Sequence, residues 1–410
     1  MCLLLCELFE FFDDGLVGIP AGERLCFTRA KRESSTRDFI AVLPPDSRNS
    51  RPEPKDFDGR LKEAKPRLVE FVRFDVTDSE VLVSLRRELS FRSGLKAVGD
   101  LGEKYGTNDL LAGKIVCLKK DVRMTATSLT ELRILKVFDV VSRLVSYCGG
   151  TIVADSVDHD ISPDVNLILT YKSTLSKNEV QNLMLIGTVN GSKKSPKSNT
   201  TPDDYEKSRT KDIKSMCDNK LERNCTFKNV SDLVHTTISF DLIQTNLRKP
   251  VILNLQEAKN SETSSCKGAL FVMYNFVRLS TLVSKYQDLV KSSVYPTLPE
   301  LDNTDLSLLT QNVSKEEWKI MLDFILYWPV VVKEVVEGLE IGKPKIHLLF
   351  KYLTDFSTTF SLYYHRIKIL TEPRPHLIPV LHARVHLMLG LLQVVKNAFN
   401  VICLQPLNHM

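Results

Sequence analysis

The chain has 410 residues and a mass of 46.5 kDa, is 43% hydrophobic, and carries 55 Lys+Arg against 50 Asp+Glu. That is enough for two or three cored domains and excludes a disordered or low-complexity chain, while a net charge of +5 permits a nucleic-acid partner without demanding one. The nine Cys are scattered, so neither a disulfide framework nor a zinc site is indicated, and the odd count fits a reducing, cytoplasmic setting.

In chain order, the opening MCLLLCELFEFFDDG is apolar, but Glu7 and Glu10 interrupt it and no basic start precedes it. It is too short to cross a membrane and reads as an amphipathic helix. Arg24, Arg29, Lys31, Arg32 and Arg37 form a basic run, either a solvated loop or a nucleic-acid contact. Residues 39–43 read as a strand and 46–65 as a Pro- and charge-rich linker. Residues 67–74 read as a strand or a helix start, 81–91 as a helix, 94–111 as a glycine-spaced loop and 115–118 as a buried strand. A helix follows at 128–146, capped at Thr127, with Leu129, Leu132, Leu135, Phe138, Val141 and Val145 on one face and Gly149 and Gly150 at its end. A strand at 151–154 completes half of an α/β nucleotide-type fold. Next come a strand at 166–170, a short helix at 177–185, and a polar stretch at 191–204 holding Lys193, Lys194 and Lys197. Residues 205–228 read as helical. Their Lys207, Arg209, Lys211, Lys214, Lys220 and Arg223, partly compensated by acids, form a candidate phosphate-facing surface.

The last third is a helical bundle. Residues 267–286, 318–339, 346–370 and 379–402 have helix spacing and wide apolar faces, separated by Gly342 and Pro344 and by Pro373 and Pro375. Ala269, Leu270, Tyr274, Asn275 and Arg278, the paired aromatic Tyr363 and Tyr364, and the closing helix with its PLNHM tail resemble the DALR anticodon-binding domain of arginyl-tRNA synthetases. The resemblance covers residues 267–410, and a degraded synthetase-like body extends back to Leu118. It implies an α/β chain: a degenerate class I synthetase-like, Rossmann-type body followed by an all-α DALR anticodon-binding helical bundle. The implied division is an N-terminal α/β region at 1–117, the body at 118–256 and the bundle at 257–410, with a turn-like core at 237–241 before the bundle.

The resemblance places the synthetases' first signature, two histidines that hold the ATP phosphates, at Ser128, Leu129, Thr130 and Glu131. Neither histidine is present, and Glu131 brings charge of the wrong sign. Lys193 and Lys194 fall near the second signature, as its remnant or as an ordinary solvated loop. No phosphate-binding loop, nucleophile elbow, H-E-x-x-H pair or glycine-rich cofactor fingerprint occurs, so no catalytic, cofactor or metal residue is assigned. His382 and His386 share a helix face suited to hydrogen bonding or phosphate rather than zinc.

The implied function is a non-catalytic tRNA-binding adaptor, cytoplasmic and without membrane attachment. It recognises arginine tRNAs and presents them to a tRNA methyltransferase that forms 3-methylcytidine in the anticodon loop. Candidate RNA contacts are Arg278, Lys285, Tyr363, Tyr364, Arg366 and Lys368, with Arg374, His376, Arg384 and Lys396 behind them. At least one of Tyr363 and Tyr364 faces the core, because adjacent helical residues point about 100° apart. Two alternatives stand beside this reading. One is an active arginyl-tRNA synthetase; the other is an interaction protein that uses Trp318, Phe324, Tyr327 and Trp328.

Overall fold

The computed structural model describes residues 4–13, 26–29, 38–42, 54–77, 80–122, 125–153, 163–172, 183–191, 200–218, 230–253, 264–311 and 315–405. Arg24, Lys31, Arg32, Arg37, Lys193, Lys194, Lys197, Lys220, Arg223 and the PLNHM tail lie outside them.

The N-terminal part contains α1 (Leu4–Asp13), β1 (Cys26–Arg29), β2 (Phe39–Val42), α2 (Pro54–Ala64), β3 (Val72–Val76), β4 (Glu80–Leu85) and α3 (Arg87–Leu101). Its strands form an antiparallel sheet of order β1-β2-β4-β3. Half of the expected linker is therefore helix, and the helix expected at 81–91 is a strand followed by a helix. Val81, Leu82 and Val83 are all buried, so the run lacks the alternation that marks a strand. Asp38, on the edge of β2, is buried and accepts from the Leu85 amide at 2.7 Å and from Trp318 Nε1 at 2.8 Å. Its carboxylate thus ties this sheet to the bundle.

The body is a parallel sheet of order β6-β5-β7-β8, built from β5 (Ile115–Lys120), β6 (Thr151–Val153), β7 (Val165–Thr170) and β8 (Leu183–Leu185), with α4 (Leu129–Tyr147) crossing over it. The expected helix at 177–185 ends instead in β8, and its first part lies outside the described residues. The cap of α4 is Ser128, one residue beyond the expected Thr127. Ser128 Oγ accepts from the Glu131 amide, while the Glu131 carboxylate accepts from the Thr127 amide and hydroxyl at 2.7 Å each. The buried face of α4 is also rotated from the expected one: Arg133, Ile134, Val137, Val140 and Leu144 turn inward with Leu129, Val141 and Val145. Fully buried Arg133 explains the rotation. Its guanidinium donates to the carbonyls of Gly187 (2.7 Å), Lys249 (2.9 Å) and Asn246 (3.3 Å), tying α4 to the two neighbouring segments 187–190 and 246–252. Burial pulls its pKa down to about 10, so it remains charged near neutrality.

β9 (Val189–Asn190) pairs in parallel with β10 (Val251–Ile252). Between them α5 (Pro202–Asp218) packs on α6 (Val230–Ile243), so the turn expected at 237–241 is helical.

The bundle comprises α7 (Ser264–Lys291), α8 (Lys315–Ile320), a π-helical turn (Met321–Leu326), α9 (Trp328–Val336), α10 (His347–Arg366) and α11 (Ile378–Val401). The single helix expected at 318–339 is interrupted because Pro329 has no N–H to offer the Ile325 carbonyl one turn back. Tyr105 supplies its hydroxyl to that carbonyl at 3.0 Å, and Tyr352 supplies its own to Phe324 O at 2.7 Å. The expected third helix stops at Arg366, with Ile367 extended beyond it and residues 369–370 in a bend. α11 is long and apolar enough to cross a bilayer by composition, yet 61% of its most apolar window is buried inside the fold, where it packs against α3, α4, α7 and α10.

Candidate nucleic-acid interface

Helix α7 exposes one long face. Phe271, Tyr274, Arg278, Thr281 and Lys285 recur at spacings of three and four and lie along it, while Val272, Met273, Phe276 and Leu279 are buried on the other side. α10 packs beside it and presents Tyr364. The Arg278 guanidinium carbon lies 4.3 Å from the Tyr274 ring centroid and 4.6 Å from that of Tyr364, and its Nη2 donates to the Tyr274 hydroxyl. Tyr274 and Tyr364 remain 41% and 39% exposed, which leaves ring surface free for a further stacking partner.

The neighbouring turns are gathered at the same end of the bundle. Tyr286 stacks on Tyr295 at 5.8 Å, the Tyr295 hydroxyl donates to Thr371 O, and the Tyr286 hydroxyl donates to Pro296 O at 3.3 Å. These bonds bring the segment after α7 and the segment after α10 together at the C-terminal ends of both helices. Lys368, Arg374 and His376 sit there, all exposed. His386 Nε2 hydrogen-bonds Pro299 O at 3.0 Å, and His382 is 9% exposed beside it. Burial depresses the pKa of both rings, so this face of α11 serves hydrogen bonding within the protein.

The ten candidate contacts do not stay together. Arg278, Lys285, Tyr364, Arg366, Lys368, Arg374 and His376 share the α7–α10 end. Lys285 and Lys368 form no ion pair among the described residues, whereas Arg366 pairs with Glu316 and Arg374 with Glu372 at 2.6 Å. Tyr363 is fully buried, its hydroxyl donating to Glu317 Oε1 at 3.0 Å, and cannot meet RNA. Arg384 donates to the same oxygen at 2.7 Å, with its side chain 13% exposed and that of Glu317 3%. Both belong to a buried bracket that holds α8, α10 and α11 together. Lys396 is exposed, but 18 residues into α11 from its start, roughly 27 Å along the axis from His376's end. Tyr274 and Phe271 were not among the sequence candidates. The signal was present in the i, i+4 spacing of Tyr274 and Arg278, which permits the ring–guanidinium contact.

Trp318, Phe324 and Trp328 are 6%, 3% and 0% exposed, so they are core and not a docking surface. Tyr327 donates to Glu334 at 3.1 Å and packs edge-on to Phe9.

At the carboxyl edge of the parallel sheet, where a fold of this kind binds nucleotides, the loops are bonded to each other. Asp121 after β5 accepts from the Thr170 hydroxyl at 3.1 Å and pairs with Lys172 at 3.2 Å. At the N-terminal end of α4, Ser128 Oγ takes the Glu131 amide and the Glu131 carboxylate folds back onto Thr127. No group of His, Cys, Asp and Glu suited to a metal ion occurs among the described residues.

Residues 272–410 match the family model described as "DALR anticodon binding domain". The chain carries a DALR domain. The resemblance read from Tyr274, Arg278 and the later helices is borne out. The zebrafish (Danio rerio) DALR anticodon-binding domain-containing protein 3 is 29% identical over 184 residues, 43% of this chain and 32% of that protein. The mouse (Mus musculus) protein of the same name is 31% identical over 180 residues, 42% of this chain and 32% of that one. The matches thus span about a third of the length of these relatives. The arginine--tRNA ligase of Borrelia turicatae is 25% identical over 176 residues, 42% of this chain and 26% of the ligase. The Thermus thermophilus arginyl-tRNA synthetase superposes with a TM-score of 0.66 at 12% identity, covering 98% of this chain and 99% of that one. The α/β body and the DALR domain therefore share that fold.

Proposed function

We propose that this chain is a tRNA-binding protein of arginyl-tRNA synthetase architecture that holds an anticodon loop and does not itself ligate amino acid. The observation that carries the reading is the exposed Tyr274–Arg278–Tyr364 constellation on the DALR domain, flanked by Lys285 and Lys368, which form no ion pair among the described residues. Aromatic rings with free surface stack on unpaired bases, and nearby cations meet the phosphates between them. Arg366, Arg374 and His376 contribute at the edge; Tyr363 and Arg384 support the turn from below. The division into N-terminal region, body and bundle is kept in this proposal, with the first boundary placed before Ile115, since β5 crosses residue 117.

The reading as an arginine--tRNA ligase has real support: the shared fold runs through both body and bundle, and a ligase is among the relatives. Against it stand two local arrangements. The end of α4 where phosphates would sit is capped by Ser128 and carries the Glu131 carboxylate, bonded back to Thr127, and Asp121 with Lys172 stitches the sheet edge where a nucleotide would lie. Arginine-dependent pyrophosphate exchange by the purified chain decides between them: background rates are expected, and a rate abolished by mutating residues 128–131 establishes the ligase.

Specificity for arginine tRNAs, a cytoplasmic setting, and delivery of the tRNA to a methyltransferase that makes 3-methylcytidine enter this proposal on the sequence resemblance. Delivery raises the effective concentration of substrate at a partner's active site. Reconstitution of such a methyltransferase with arginine tRNAs tests it: methylation should rise when this chain is added, and unchanged methylation without co-purification rejects it.

A further inference from the structure

The charge run on α5 plays no part in the interface above. α5 is fixed by its inner face. Tyr205, Arg209 and Ile213, together with Asp241 of α6, are 0%, 4%, 0% and 2% exposed. The Tyr205 hydroxyl donates to Asp241 Oδ2, and Arg209 Nε donates to the same carboxylate oxygen at 3.0 Å and to the phenol oxygen at 3.1 Å. Burial and the neighbouring Asp241 push the Tyr205 phenol far up, so it stays a donor. This buried set fixes the rotation of α5 about its own axis.

The outer face is thereby held in solvent. Lys207, Lys211 and Lys214 stand at i, i+4 and i+7 as one stripe, roughly 10 Å long. All three are exposed, and none forms an ion pair among the described residues. Of the acids of α5, Asp203 and Glu206 line the same outer face as the three lysines, which remain in excess there. Asp204 bonds the Thr201 hydroxyl at 2.8 Å, Asp212 pairs with Arg209 at 3.2 Å, and Glu206 acts on Lys136 of α4. Asp203 lies in the first turn, where its charge complements the helix dipole.

We infer that the Lys207, Lys211 and Lys214 stripe is a second RNA contact, taking the sugar–phosphate backbone of a double-stranded arm of the same tRNA whose anticodon loop the DALR domain holds. This rests on the tRNA-binding reading above. α5 packs on α6 and α6 on α7, so stripe and loop interface belong to one framework. Lysines are flexible point charges that take phosphates without base preference, which suits a duplex arm read by shape.

The test uses the full chain with two probes, an arginine tRNA transcript and its isolated anticodon stem–loop. In the triple variant Lys207→Gln, Lys211→Gln, Lys214→Gln, affinity for the full tRNA should fall at least about fivefold, and the log–log salt slope should flatten by roughly 2–3. Stem–loop binding should stay unchanged, and the triple Lys→Arg variant should bind full tRNA as wild type does. Unchanged affinity and slope for the full tRNA overturn the inference, as do equal losses on both probes. Loss of binding to a polyglutamate peptide with tRNA binding intact also overturns it, in favour of an acidic protein partner. If the wild-type chain binds neither RNA, the tRNA reading itself falls, an outcome distinct from failure of the stripe alone.

Discussion

Adjacent residues on one helix carry opposite roles here, and their substitutions should separate accordingly. Glu317 holds Tyr363 and Arg384 in a buried bracket. Replacing it with Ala strands a largely buried guanidinium and an unpaired phenol, so Glu317→Ala should cost about 3 kcal/mol in chemical denaturation. Arg366, whose side chain is 62% exposed against Glu316, should cost under about 1 kcal/mol as Arg366→Ala. The sequence showed that one of Tyr363 and Tyr364 faces the core but not which, because both lie on the edge of an apolar stripe. The choice is made by Glu317, 46 positions away in the chain and invisible to local periodicity. Arg384 was misread for the same reason: nothing local marks an Arg whose partner sits on another helix.

At the level of elements, the bundle's helices were legible because their apolar stripes are long, whereas β4 and the start of α3 were not, because a short run buried on both faces has no period. The π-helical turn needed Tyr105 and Tyr352 from distant positions to take its freed carbonyls. Gly94 of α3 faces that turn, and an added Cβ would lie 2.1 Å from Met321 Cε and 2.8 Å from Leu326 Cδ2. Gly94→Ala should therefore destabilise the chain by about 1–3 kcal/mol through overpacking, read as a lowered denaturation midpoint. The strap after α7 carries a pH dependence. Burial lowers the pKa of His382 and His386 below the ordinary 6.5, so the folded state takes up protons less readily than the unfolded one. Stability from this strap is complete above that value and declines as pH falls below it. The midpoint measured from about pH 7.5 to 5 should fall toward acid, and His386→Gln should flatten part of that fall.

Across the whole molecule, the N-terminal part, the body and the bundle are not independent. One apolar cluster runs from Leu4 to Leu404. Asp38 bonds Trp318, Asn397 donates to Gly102 O and Tyr105 O at 2.9 and 3.0 Å, and Glu10 bonds Lys65 and Lys333 at 3.1 Å each. Calorimetry of the full chain should accordingly show one cooperative transition rather than separate events for body and bundle. This coupling was hidden in the sequence, since the contacts of Trp318, Lys333 and Asn397 each join residues more than 250 positions apart, while the order of α/β body then helical bundle was visible from element types alone. The central claim is that the exposed Tyr274–Arg278–Tyr364 face holds a tRNA anticodon loop. Equilibrium binding of an arginine tRNA to the full chain, wild type beside Arg278→Gln with Tyr364→Ala, tests it most directly. The expected result is salt-sensitive binding by the wild type and a loss of about tenfold or more in the double variant, with the denaturation midpoint little changed. Equal affinity of the two proteins, or no binding by the wild type, contradicts the claim.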